Sequence, residues 1–214
     1  MSIHSFAGGM DIGARRDNGK HNAILQAAIQ VIAGSGYHNA QISRIAREAG
    51  VADGTVYLYF KNKEDLLLSI LRKAIGEVVA QLEEALARER DAASKLRRVV
   101  EVYFGDLGSD PALAMVTQVH LRQVDAELRR QVGDIMKPFY NLLDGVIDQG
   151  VYEGVFNRAV SHRVARRMIF GTMDETVTAW VLTGSKYDLA ALAPDIVRVL
   201  LYGISAREQV EEEA

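Results

Sequence analysis

Cysteine is absent from this chain of 214 residues, and proline occurs only three times. The first absence excludes a disulfide framework, a thiolate metal site and a cysteine nucleophile, and it fits a reducing compartment. The second leaves long stretches free of helix breakers. No apolar run approaches the roughly 20 residues that span a bilayer, and the start lacks the continuous apolar segment of a secretory signal. Alternation of the β type never lasts beyond a few residues. The five histidines, His4, His21, His38, His120 and His162, are dispersed without metal-ligand spacing. Neither a G-x-S-x-G elbow nor a phosphate-binding glycine loop occurs, and the neighbouring acids Asp174 and Glu175 point to different faces of a helix. What remains is a cytoplasmic, all-α, non-enzymatic protein with no metal and no cofactor, long enough to bury a sizeable core.

Charge is unevenly spread. Residues 1–75 carry nine Lys/Arg against six Asp/Glu, whereas residues 76–214 carry sixteen against twenty-two. A basic segment beside an acidic one points weakly to a nucleic-acid partner for the basic end. Residues 1–17, with Gly8, Gly9 and Gly13, show no helical periodicity and are read as a flexible arm or as an extension ahead of a start at Met10. From Lys20 the apolar spacing becomes helical, through Ile24, Ala27, Ala28, Val31 and Ile32, until Gly34–Tyr37 stops it. A short helix follows, with Ile42, Ile45, Ala46 and Ala49 on one face and Gly50 in the left-handed position after its end. Three residues later another short helix opens near Asp53 and ends around Phe60. Two short helices joined by a three-residue turn containing glycine make a helix-turn-helix over residues 41–60. Asn62 then caps a long helix, with Asp65 as the acid of a capping box.

Beyond Gly76 the chain reads as longer amphipathic helices. One covers 92–107. Another opens at Asp110-Pro111, with the acid as N-cap and proline in the first turn. A third runs from about Asp125 to Gln149 with a kink expected at Pro138, and two more cover Ser161–Leu182 and Leu189–Ile204. The domains expected are therefore 18–75 for the helix-turn-helix domain and 76–206 for a second helical domain, followed by an acidic tail at 207–214.

The stretch "VADGTVYLYFKNKEDLL" packs three large aromatics beside two lysines. Val56 and Phe60 lie four apart on one face and belong to a small core, which leaves Tyr57, Tyr59 and Thr55 to meet something outside. Phenols and ammonium groups at a helix end suit phosphate oxygens, and a short helix fits the major groove of DNA. The segment Ile24–Leu71 resembles the N-terminal DNA-binding domain of TetR-family transcriptional repressors. The likeness rests on Gly36-Tyr37, Ile42, Ile45-Ala46, Ala49-Gly50-Val51, Gly54, Tyr57, Phe60, Lys63, Glu64 and Leu67. It implies a three-helix DNA-binding head on a six-helix ligand-binding and dimerisation body. It also implies DNA contacts from Gln41, Ser43, Arg44, Asp53, Gly54, Thr55, Tyr57, Tyr59, Lys61 and Lys63. Two departures stand out. Gln41 occupies an N-cap usually held by threonine, and Ala52-Asp53 replaces a serine followed by a basic or small residue, so that Asp53 is read as the substitute cap.

The body extends the resemblance. "VTQVHLRQVDAELRR" and "RRMIFGTMDETVTAWVLTGSKYDLAAL" resemble segments of the acyl-CoA-responsive repressors of fatty-acid degradation. That likeness implies a regulator holding palindromic double-stranded operators until a long-chain acyl-CoA binds. Such an effector needs an apolar tunnel with cations at one mouth. Leu121, Phe139, Leu143, Met168, Phe170 and Trp180 are the tunnel candidates, joined by Leu128, Ile135, Leu142 and Ile169. Arg122, Arg129, Arg130, Arg163, Arg166 and Arg167 are the cation candidates. Each has a plainer reading as core or solvated surface. The last two helices are expected to form a homodimer interface, with Ala165, Gly171, Thr172, Thr176 and Ala179 allowing close approach. A repressor sensing hydrophobic cations, as in drug efflux, and a purely architectural DNA binder stand as the alternatives.

Overall fold

The computed structural model describes residues 9–119, 122 and 126–203, with side chains from Asn18 onward. Leu121 and the acidic tail fall outside these residues. Among them are nine α-helices and no strand: α1 Gly9–Ser35, α2 Ile42–Glu48, α3 Asp53–Tyr59, α4 Lys63–Leu86, α5 Ala92–Ser109, α6 Pro111–Gln118, α7 Ala126–Tyr152, α8 His162–Leu182 and α9 Ala193–Tyr202. No helix among the described residues is long and apolar enough to cross a membrane.

The described residues fall into two compact units. The first comprises residues up to Ile75 together with Asp110–Ile135. Within it α1 packs against α2 and α6, and α2 against α3. Ile24, Ala28 and Ile32 of α1, Ile45 and Ala46 of α2, Val56 of α3, and Leu66 and Leu67 of α4 are buried in its core. The helix ends are set by local chemistry. Gly36 takes φ 81° after α1, and Gly50 takes φ 67° after α2, where the Gly50 and Val51 N–H groups donate back to the Arg47 and Ala46 carbonyls. These paired bonds satisfy the last carbonyls of α2 and turn the chain toward α3. Asn62 Oδ1 accepts from the Asp65 N–H at 2.8 Å, while Asp65 Oδ2 accepts from the Lys61 N–H at 3.0 Å. The capping box is present, with its acid reaching one residue further back than usual.

The second unit comprises Gly76–Ser109 and the residues from Met136 on. Here α5 packs against α8 and α9. Leu96, Val100, Phe104, Phe139, Leu143, Met173 and Val177 are buried in it. Asp91 caps α5 by accepting from the Ser94 N–H at 2.8 Å and its hydroxyl at 2.9 Å, and these bonds hold the Asp91 carboxyl below its ordinary pKa. Glu153 accepts from the Ala92 N–H at 2.8 Å and Lys95 donates to Gln149 at 2.7 Å, which ties the end of α7 to the start of α5.

Two helix starts differ from expectation, those of α1 and α9. Helix α1 begins at Gly9 rather than near Lys20, because a helix nucleated by its buried portion propagates through good formers such as Ala14, Arg15 and Arg16 at one backbone bond per residue. By contact, Asp110–Ile135 groups with the first unit, where Ala114 and Val116 of α6 are buried in a helix that packs on α1. Helix α7 includes Pro138, which lies on its exposed side. The last helix starts at Ala193, after a 3-10 turn at Ala190–Leu192, with Pro194 in its first turn where no N–H is needed.

Candidate functional site

Helix α3 has seven residues, and its core face is small. Val56 and Phe60 are buried, Thr55 and Tyr59 are half-buried, and Asp53, Gly54, Tyr57 and Leu58 are exposed. Gln41, Ser43 and Arg44 are exposed at the start of α2, and Lys61 is exposed just beyond α3. Most of the expected DNA-facing set therefore lies on the outer surface of the two short helices. Tyr59 is oriented by His21 of α1, whose ring meets it edge-on at 6.1 Å and stacks tilted on Phe60 at 4.9 Å. Such packing fixes the phenol at the rim of the face.

Two members of the set behave differently from expectation. Asp53 is not the cap of α3. Ala52 holds that position, without a side-chain bond, and Asp53 is the first helical residue. Its carboxylate acts on the helix through the dipole alone. Lys63 is turned inward. Its Nζ donates to the carbonyls of Tyr37 at 2.9 Å, His38 at 3.1 Å and Ala40 at 3.3 Å, and lies 4.7 Å from the Tyr37 ring centre. An ammonium group has three protons, so this lysine fastens the α1–α2 loop to α4 and has none left for a phosphate. Gln41 makes no side-chain cap bond to α2, as its poorer capping chemistry leads one to expect.

The sequence reasoning missed Leu58, which is 82% exposed. The signal was present, since the residue two positions after buried Val56 must point the opposite way on a helix.

The residues proposed for an apolar ligand divide between the two units. Arg122, Leu128, Arg129 and Arg130 lie in the first, where Leu128 is buried and the three arginines are exposed. Arg130 donates to Glu127 at 2.7 Å, and that bond and charge raise the guanidinium pKa. In the second unit Phe139, Tyr140, Phe170 and Tyr103 form an edge-to-face aromatic cluster, with Tyr140 and Phe170 centred 5.3 Å apart and Phe139 and Phe170 5.8 Å apart. Leu143 is buried in the same unit. Arg166 lies beside the cluster, its guanidinium 5.4 Å from the Tyr140 ring centre and 2.7 Å from Asp144. Burial first, and the Asp174 charge second, push the Tyr140 phenol above its ordinary pKa against the opposing pull of Arg166. His162 bridges the same helices, with Nε2 2.9 Å from Asp148 and Nδ1 3.6 Å from Asp144.

Trp180, Met168, Ile169 and Arg167, all expected at the ligand, are not among these rings. Trp180 is buried with its indole N–H donating to the Tyr187 carbonyl at 2.8 Å, because a buried indole needs an acceptor and the turn after α8 supplies one. Met168 is 58% exposed and, with Ala165, Ile169, Leu200 and Leu201, lines an open groove of about 260 Å³. Arg167 is exposed on α8. Of the small residues expected at an interface, Gly171 and Ala179 are exposed, while Ala165, Thr172 and Thr176 are half-buried. Val164 and Leu182 of α8 and Val199 and Tyr202 of α9 are also exposed.

Residues 24–70 match the family of bacterial regulatory proteins, tetR family, and residues 71–203 match the C-terminal region of YsiA-like proteins. The chain is 46% identical over 185 residues to the fatty acid metabolism regulator protein of Bacillus subtilis, an alignment covering 86% of this chain and 95% of that one. Its fold matches the crystal structure of the transcriptional regulator FadR from Bacillus subtilis in complex with stearoyl-CoA. The TM-score is 0.83 and the identity 45%, over 86% of this chain and all of that one. The fatty acid degradation regulator FadR from Bacillus halodurans matches with a TM-score of 0.83 and 44% identity over the same shares.

Proposed function

The chain belongs to the TetR family of bacterial regulatory proteins, and from that premise we propose that it represses fatty-acid degradation genes and leaves its operator when a long-chain acyl-CoA binds. One observation carries this reading: the chain is 45% identical, over 86% of its length, to a regulator whose structure holds stearoyl-CoA. The site geometry supplies the parts. The exposed face of α2 and α3 enters the major groove, with Thr55 and Tyr57 toward base edges and Tyr59 and Lys61 at phosphates. In the second unit the aromatic cluster and Leu143 offer apolar surface to an acyl chain. Arg166 is a cation held at that cluster's edge, where it can meet an anionic group of the effector. The exposed apolar surface of α8 and α9 is the homodimer interface, and a two-fold dimer reads a palindromic duplex. The protein works in the cytoplasm, where its operator is.

Release requires only that the effector bind better to a conformation that fits DNA less well. The test is operator affinity of the full chain at one salt concentration, measured on a promoter fragment of a fatty-acid degradation gene. Stearoyl-CoA should lower the affinity tenfold or more, a coupling of about 1.4 kcal/mol, while free CoA and stearate should do little. Equal release by stearate would remove the role of the cations. Release by a hydrophobic cation instead of stearoyl-CoA would make the protein an efflux regulator.

A further inference from the structure

The outward ridge of α3 carries a residue that neither phosphate contact nor core packing explains. With buried Val56 as the reference, Leu58 lies about 200° round the helix, opposite the core, and it is 82% exposed. Gly54 lies one turn earlier on the same line, with open space where a side chain would stand. The ridge is therefore bare backbone at one end and an isobutyl group at the other, flanked by Thr55 and Tyr57. A helix of seven residues is about 10 Å long, short enough to lie within a major groove about 12 Å wide. Leucine has no donor for a phosphate oxygen. The one apolar group that base edges present in that groove is the thymine C5-methyl. We propose that Leu58 reads a thymine methyl in each half-site of the operator. The inference rests on the reading of the chain as a DNA-binding regulator, with α3 as the helix that enters the groove.

The experiment begins with the full wild-type chain recovering its preferred duplex from a randomised library. Each thymine of that duplex is then replaced singly by deoxyuridine, which removes only the methyl. One replacement per half-site should weaken wild-type binding about fourfold, the worth of one methyl-sized group withdrawn from water. Leu58→Ala should bind the unmodified duplex at least that much more weakly and should no longer respond to deoxyuridine at that position. Its response at other thymines should match wild type. Because Leu58 is at the surface, the variant's thermal midpoint should be unchanged. Weaker binding to every duplex with the full methyl response retained would assign Leu58 to the sugar–phosphate backbone and overturn the proposal. Unchanged binding would mean that the ridge does not meet DNA, and would overturn it equally. Either result leaves the regulator reading in place, whereas recovery of no duplex by wild type would remove both.

Discussion

The two units answer their sequence patterns in different ways. In the first, Ser43, Arg44, Gly54 and Tyr57 on two short helices, and Lys61 just beyond the second, are exposed. In the second, the cation beside the aromatic cluster, Arg166, is bonded to Asp144, and the other expected cations are divided between the units. A DNA-reading surface is local, because about twenty consecutive residues fix its geometry. A pocket for a flexible amphipathic molecule is assembled from helices distant in sequence, so spacing along the chain says little about which residues meet.

The largest effect should come from breaking the assembly on which a palindromic duplex depends. Gly171 is exposed and a side chain there meets open space in the single chain. Gly171→Trp should therefore leave the monomer folded while overfilling a close helix–helix contact. Sedimentation should show monomer, and operator binding should be lost at concentrations that saturate wild type. A dimeric Gly171→Trp protein with normal operator affinity would move the interface off α8.

The next two predictions separate lysines two residues apart. Lys63→Met removes the donor shared by the Tyr37, His38 and Ala40 carbonyls. It should cost about 1–3 kcal/mol of folding stability in denaturant titrations, while the salt dependence of DNA binding in the folded protein stays as it was. Lys61→Ala should do the reverse. Stability should hold, binding should weaken alike for all sequences, and the salt slope should fall by about 1. A reduced salt slope in the Lys63 variant would return that lysine to the DNA interface.

The smallest effect concerns the aromatic cluster. Burial and Asp174 raise the Tyr140 pKa above its ordinary 10.0 in the folded state. The neutral phenol's contribution is complete below the unfolded pKa and is lost as pH rises through the raised folded value. Tyr140→Phe cannot ionise, so its stability should decline less steeply on the alkaline side than that of wild type. Parallel alkaline limbs in pH-dependent melts would contradict the burial of this hydroxyl's charged form.

Local chemistry explains how much of this was legible beforehand. Glycine at position 50, the Asn62–Asp65 cap and the Asp110-Pro111 start each act within five residues, and each is found where the sequence places it. The opposed faces of α3 follow from helical period alone. Lys63 misled because its partners stand 23 to 26 residues away. Trp180 has a partner that no motif announces, its indole N–H donating to the Tyr187 carbonyl in the turn after α8. The Arg166–Asp144–His162 contacts join α7 to α8 across 14 to 22 residues, and no motif announces them. Position 53 was misread by one residue, since an acid at the first helical position and an acid at the cap look alike in sequence.

The central claim is a coupling between two binding sites on one chain, and reciprocity tests it most directly. Stearoyl-CoA, the effector proposed above, should be titrated calorimetrically into the full-length protein free and saturated with operator duplex, at one salt concentration. If stearoyl-CoA lowers operator affinity by some factor, operator must lower stearoyl-CoA affinity by the same factor. The account predicts equal factors of tenfold or more. Stearoyl-CoA affinity that is identical with and without operator would contradict it.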